Sequence, residues 1–116
     1  MFKLKRAYDA PSPADGTRFL VDRLWPRGIT KEALKIAAWL KDVSPSDALR
    51  KEFHAHPEKW HEFRKHYFAE LDARPEAWRP LLEAAQRGPV TLVYAAKDTE
   101  HNNAAALVEY LKGIAG

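Results

Sequence analysis

No cysteine occurs in the 116 residues. This excludes a disulfide scaffold, a thiolate zinc site and any cysteine nucleophile, whether phosphatase-like or sulfurtransferase-like. Long apolar runs are also missing, and nothing approaches the roughly 18 residues a membrane span needs. The opening Met-Phe-Lys-Leu-Lys-Arg-Ala alternates charge with apolar side chains and lacks the apolar stretch of a secretory signal. No membrane partner is expected, and a reducing cytoplasm is the expected compartment. The sequence has no phosphate-binding glycine loop, dinucleotide fingerprint or nucleophile elbow. Excess charge is small: 19 Lys and Arg face 16 Asp and Glu, a net of +3. That balance is too weak to define a nucleic-acid binder.

The chain does have enough apolar material for a core, with 46% hydrophobic and 30% charged residues. This composition argues against disorder, and the length suits a single domain over residues 1–116. The charge is uneven. Residues 1–31 hold seven bases (Lys3, Lys5, Arg6, Arg18, Arg23, Arg27, Lys31) and three acids (Asp9, Asp15, Asp22), a balance of +4. The other 85 residues hold twelve bases and thirteen acids, a balance of −1.

Phe2 to Tyr8 alternates apolar and basic residues, the period-2 pattern of a half-exposed strand. Residues 9–16 read as a loop. Phe19-Leu20-Val21 reads as a more buried strand, stopped by Trp25-Pro26-Arg27-Gly28. Thr30 is a natural N-cap for a helix through about Leu40. Ser44-Pro45-Ser46-Asp47 marks a second helix start and His56-Pro57-Glu58 a third. Trp60, Phe63, Tyr67 and Leu71 share one face of that third helix. Arg74-Pro75-Glu76 opens a fourth, with Trp78, Leu81, Leu82 and Ala85 on one face, and Gly88-Pro89 ends it. These two faces, Trp60 and Trp78 included, are expected in the core. Val90 to Tyr94 is a short β-branched strand, and a last helix follows from about Asn102 to Lys112.

The expected order is β-β-α-α-α-α-β-α. The long helical crossover makes the last two strands parallel neighbours, joined with right-handed sense. The fold class is therefore α/β: a short, mostly parallel sheet flanked by about five helices.

In such sheets ligands gather outside the carboxyl ends of the strands. Two segments leave buried strands there and turn polar at once, Val21–Gly28 and Tyr94–Asn103. They carry Asp22, Arg23, Arg27, Lys97, Asp98, Glu100 and His101, which are expected to meet with Tyr94 in one pocket. Arg23 and Arg27, held by Pro26 and Gly28, suit the capture of phosphate or carboxylate; they equally suit pinning the loop to Asp98 or Glu100. Asp22 fits either an acid/base role or a paired strand end. His101 could exchange a proton near neutral pH or brace the loop. Asn102 and Asn103 suit helix capping first and ligand orientation second. Trp25 sits inside the ligand loop and could stack on a ring.

The strings V-D-R-L-W-P-R-G at 21–28, A-W-L-K-D at 38–42, H-P-E-K-W-H-E-F-R at 56–64 and T-L-V-Y-A-A-K-D-T-E-H-N-N at 91–103 resemble the DUF488 family of small bacterial proteins, in its YeaO-like branch. The resemblance covers nearly the whole chain. It implies the α/β fold and directs attention to the two strand ends, but it implies no reaction. Other branches carry cysteines in the region of Tyr94–Asn103; this chain has none, so thiol chemistry does not transfer.

His54, His56, His61 and His66 do not read as a metal site. His56 and His61, like His61 and His66, are five residues apart, which on a helix separates them by roughly 140°. No metal and no cofactor are expected.

Two readings remain. In the first, Arg23, Trp25, Arg27, Tyr94, Lys97 and Asn102 hold a small anionic ligand, phosphate-bearing or a nucleotide. Asp22, Asp98, Glu100 and His101 are then the candidates for acid/base hydrolysis. In the second, the basic N-terminal third contacts a nucleic acid or an acidic protein without chemistry. A closed pocket with convergent Asp22, Arg27 and His101 favours the first; a flat basic stripe favours the second.

Overall fold

The computed structural model describes residues 2–114 in full and the backbone of 115. The outermost positions of the expected domain, 1 and 116, lie outside the described residues. Among the described residues four strands and five α-helices follow one another: β1 (Phe2–Arg6), β2 (Thr17–Leu20), α1 (Lys31–Leu34), β3 (Ala38–Trp39), α2 (Asp47–Ala55), α3 (Trp60–Asp72), α4 (Pro75–Arg87), β4 (Val90–Tyr94) and α5 (Asn103–Ala115). The strands form one parallel sheet in the order β1-β4-β2-β3. The last long strand, β4, thus lies between the first two, which do not pair with each other.

β4 is buried along its whole length because the sheet is covered on both sides. Val90, Leu92 and Tyr94 join Phe19 and Val21 in the larger core with residues of α3, α4 and α5. Val93 and Leu20 face the other way, into a smaller cluster with Ala7 and Leu34. Alternation along β2 and β4 therefore supplies both cores.

The helix expected from Thr30 to Leu40 is corrected. Thr30 does cap α1, its Oγ1 accepting from the Ala33 N–H at 3.1 Å. The helix then stops at Leu34, and Lys35 takes a left-handed conformation with φ 52°. The cause lies in β2: the buried Arg18 guanidinium donates to the Leu34 carbonyl twice, at 3.1 and 2.9 Å. The carbonyl that a continuing helix would offer to residue 38 is thereby occupied. The chain instead extends along β2, where Ala37 N–H donates to Arg18 O at 2.7 Å and Leu40 N–H to Leu20 O at 2.9 Å. The order is β-β-α-β-α-α-α-β-α, one strand more than expected.

Two helix starts also shift. Ser46, not Ser44, caps α2, accepting from the Leu49 N–H and anchored to Glu70 of α3. α3 begins at Trp60, after the His56–Lys59 turn. Of the two aromatic faces, Phe63, Tyr67, Leu71 and Leu81 are buried, whereas Trp60, Trp78 and Leu82 are half-buried at the core edge. Trp78 donates its indole N–H to Leu71 O at 2.8 Å, and Trp60 stacks on His101. Polar or stacked partners keep both rings at the margin.

A charged knot closes the edge where β1 and β2 begin. Buried Asp15 accepts from Arg18 Nη1 at 2.7 Å and from Lys5 Nζ at 3.0 Å. Burial pushes the Asp15 carboxyl up, but hydrogen bonds from Lys5, the Ser12 N–H and Arg18 outweigh it and hold it below its ordinary 3.8. A depressed acid stabilises the fold above pH 3.8 and loses that contribution as pH falls through its folded value. Stability measured from pH 7 down to pH 2 should fall more steeply for the wild type than for Asp15→Asn; parallel acid limbs would contradict this role.

Gly16 follows in a left-handed conformation at φ 65°, where an added Cβ would meet the Pro89 carbonyl oxygen at 2.2 Å. Gly28 has a similar φ of 79° but open space around it. Gly16→Ala should therefore cost clearly more than the ~1 kcal/mol of backbone strain expected for Gly28→Ala. Urea-unfolding midpoints of the two variants check this.

Candidate functional site

The parallel sheet delivers the ends of β2 and β4 to one edge, and the chain leaves both through polar segments. A cavity of about 340 Å³ opens there. The loop after β2, Ser44-Pro45 with the second half of α2, and the two ends of the 95–103 connection into α5 form most of it, with Tyr8 and Phe63 completing the wall. Seven residues singled out from the sequence line it together: Asp22, Arg23, Trp25, Arg27, His101, Asn102 and Asn103.

Asp22 is the hinge pin of this edge. One carboxylate oxygen accepts the Ala95 N–H at 2.9 Å and the other accepts Asn103 Nδ2 at 3.1 Å. The same Asn103 amide donates to Val21 O at 3.1 Å. The Asp22 carbonyl accepts the Trp39 indole N–H at 2.6 Å. One residue thus joins the ends of β2, β3 and β4 to the first turn of α5. Burial raises the Asp22 carboxyl above its ordinary range, while hydrogen bonds from Ala95 and Asn103 pull it back. Both oxygens are engaged, which suits a latch better than a free general base.

The arginines are disposed differently. Arg23 Nε lies 3.3 Å from Pro45 O and 3.5 Å from Asp47 Oδ1. Asp47 also receives Arg50 Nη2 at 3.3 Å, so it draws Arg23 and Arg50 together. Arg50 Nε is buried and has no hydrogen-bond partner. Arg27 is exposed, and among the described residues its guanidinium makes no ion pair. It does not pin the loop to Asp98 or Glu100; the loop is held by its backbone, Arg27 O accepting the Tyr8 hydroxyl at 3.2 Å. Trp25 is packed into its own loop, donating to Ile29 O at 2.7 Å and meeting Trp39 edge-on at 5.4 Å.

The single-pocket expectation is corrected for four residues. Tyr94, Lys97, Asp98 and Glu100 do not line the cavity. Tyr94 is buried in the larger core, where burial pushes its hydroxyl up. Lys97 and Glu100 are exposed. Asp98 turns back on its own chain, accepting the Glu100 and His101 N–H groups at 2.9 Å each. Those bonds to His101 and Glu100 hold its carboxyl below the usual range. Asn102 is buried as the cap of α5, accepting the Ala105 N–H at 2.8 Å and donating to Asp98 O at 2.9 Å.

The cavity also takes Arg50, Phe53 and His54 from α2, which were not among the expected site residues. Arg50 and His54 are four apart and share a helix face. That spacing is visible in the sequence, but nothing there says this face overlies the strand ends. The lining residues include three arginines and one aspartate already hydrogen-bonded, an arginine-rich concavity with aromatic walls. No cluster of three metal-ligating side chains occurs among the described residues, nor any helix long and apolar enough to cross a membrane.

Comparison with known proteins gives one family. The family model described as "Inactive DUF488-N3 subclade" matches residues 1–114. The chain is 43% identical over 110 residues to the uncharacterized protein YeaO of Escherichia coli, covering 95% of this chain and 96% of the relative. It is 39% identical over 111 residues to an uncharacterized protein of Mycobacterium bovis, covering 96% and 93%. A Mycobacterium tuberculosis relative matches to the same extent. No solved structure matches the chain at a significant level.

If Asp22 is a latch, Asp22→Ala strands the Ala95 N–H and takes one of two acceptors from the Asn103 amide, which keeps Val21 O. The loss should be about 1–3 kcal/mol for each group left unpaired. Chemical denaturation measures it; an unchanged midpoint would return Asp22 to the free acid/base candidates.

Proposed function

The chain belongs to the DUF488 family, in the subclade described as inactive, and from that premise we propose that it binds a small phosphate-bearing anion at the strand ends without turning it over. The observation that carries this reading is the convergence of Arg23, Arg27 and Arg50 on one walled cavity, where the one lining carboxylate is already satisfied and the neighbouring Asp47 is shared between two of the three guanidinium groups. Guanidinium groups match phosphate oxygens in bidentate fashion and stay charged at any physiological pH. Arg50 adds a buried, unpartnered Nε, and Arg27 adds a guanidinium free of carboxylate partners among the described residues.

Hydrolysis is the weaker reading. Acid/base catalysis needs a free proton acceptor within reach of the substrate. Asp22 has both oxygens occupied, Asp98 closes its own turn, and Glu100 does not line the cavity. His101 alone remains of the four candidates. The family description points the same way.

The alternative of a nucleic-acid or protein module rests on the basic N-terminal third. Much of that charge is used within the fold. Lys5 and Arg18 pair with Asp15, Arg23 leans on Asp47, Lys3 donates to Ala14 O and Arg6 to Ala95 and Ala96 carbonyls. A free basic stripe does not emerge from these contacts.

Inorganic phosphate and 5′-nucleotides should raise the thermal midpoint of the wild type. At 100 times Kd the stabilisation is about 2.7 kcal/mol, roughly 10 °C for a domain of this size. Arg27→Ala and Arg50→Ala should retain the fold and lose most of that shift. In ~0.5 M salt a walled site should keep part of the response. No shift with any phosphate-bearing ligand at low salt, or a shift that survives both substitutions, would overturn the reading.

A further inference from the structure

The cavity carries more than positive charge, and its second feature is a planar ring. We infer that its ligand is a 5′-nucleoside monophosphate whose base stacks on His101 while the phosphate meets the arginines; this rests on the anion-binding reading above.

His101 is exposed, lines the cavity and stacks one face on Trp60, with ring centroids 4.7 Å apart and planes 13° from parallel. An imidazole has two faces, and Trp60 takes only one. The ring is set by its surroundings rather than by chance. Asp98 fixes the backbone on one side of His101, and Asn102 caps α5 on the other. Trp60 is itself packed against Phe53 at 5.6 Å and Phe63 at 5.6 Å. Phe53 and Phe63 line the cavity as well, so an apolar wall continues from the platform. Aromatic stacking is a sequence-tolerant way to hold a base, and preorganised rings lose little entropy on binding.

Trp25 is the poorer platform. Its indole N–H is held by Ile29 O and Trp39 meets it edge-on, so it serves the loop first. Size narrows the class further. A cavity near 340 Å³ stands at the low end of the ~300–1,000 Å³ that enclose small ligands. That space suits one nucleotide better than a dinucleotide or a strand.

Calorimetric titration of the full chain with adenosine 5′-monophosphate, ribose 5-phosphate and inorganic phosphate, at one ionic strength, tests the inference. The nucleotide should bind about tenfold more tightly than ribose 5-phosphate, the increment of one stacked base. His101→Ala should erase that preference and leave ribose 5-phosphate binding unchanged. His101→Phe, which restores a ring, should keep it and guards against a variant that merely fails to fold. Equal affinity for the two ligands overturns the inference and leaves the anion reading intact. So does an equal loss for both in His101→Ala, a lost preference in folded His101→Phe, or tighter binding of a short oligonucleotide. Absence of any binding, inorganic phosphate included, overturns both.

Discussion

The Asp22 carboxylate is the constraint on which this edge of the molecule depends. Parallel strands end without the hairpin turns that tie antiparallel ones together, so something else must fix their ends relative to one another. Here a single residue does so, with its side chain and its backbone carbonyl. It accepts a backbone N–H after β4 and the amide of Asn103 in α5, while its own carbonyl holds the Trp39 indole from β3. Remove those bonds and the loop of Arg23 to Gly28 loses its direct tie to the chain that carries His101. The half-buried Asp22 thus ties the β2 exit loop to the chain that carries His101. The burial that raises its carboxyl is the cost of placing it there.

A second charged group decides the topology on the other face. Arg18 takes the Leu34 carbonyl and the Asp15 carboxylate at once. By doing so it ends α1, frees the following residues to pair as β3, and ties the start of β2 to the Pro13–Asp15 turn. Trp39 can reach Asp22 only because β3 exists. The two charged residues of β2 and its exit thus act in series: Arg18 makes the strand whose tryptophan supports Asp22.

These dependencies explain what the sequence reveals and what it hides. β4 is legible because five consecutive β-branched, aromatic or aliphatic residues are bounded by Gly88-Pro89 and Ala95-Ala96. The parallel pairing of β2 with β4 follows from the helical crossover, and Arg74-Pro75 marks the α4 start directly. β3 is illegible because Ile36 to Leu40 reads equally well as helix or strand; a side chain distant in sequence chooses between them. In the site, the β2 exit loop is visible as a polar break after a buried strand. Tyr94 is misplaced because the alternation of β4 turns it into the core, and Asp98 because an Asx turn looks the same in sequence as a free carboxylate. Arg50 and His54 are missed because helix spacing gives a shared face but not the neighbour it meets.

On the proposed reading, one walled, arginine-rich cavity at the strand ends receives a phosphate-bearing anion. Backbone amide chemical shifts, followed during a phosphate titration of the isotope-labelled chain, address it most directly. Perturbations should concentrate in residues 22–28, 45–54 and 95–103, with a common saturating dissociation constant. Shifts spread over Lys3, Lys31 and the exposed lysines of α2 and α3 without saturation, or no shifts in those three segments, would contradict it.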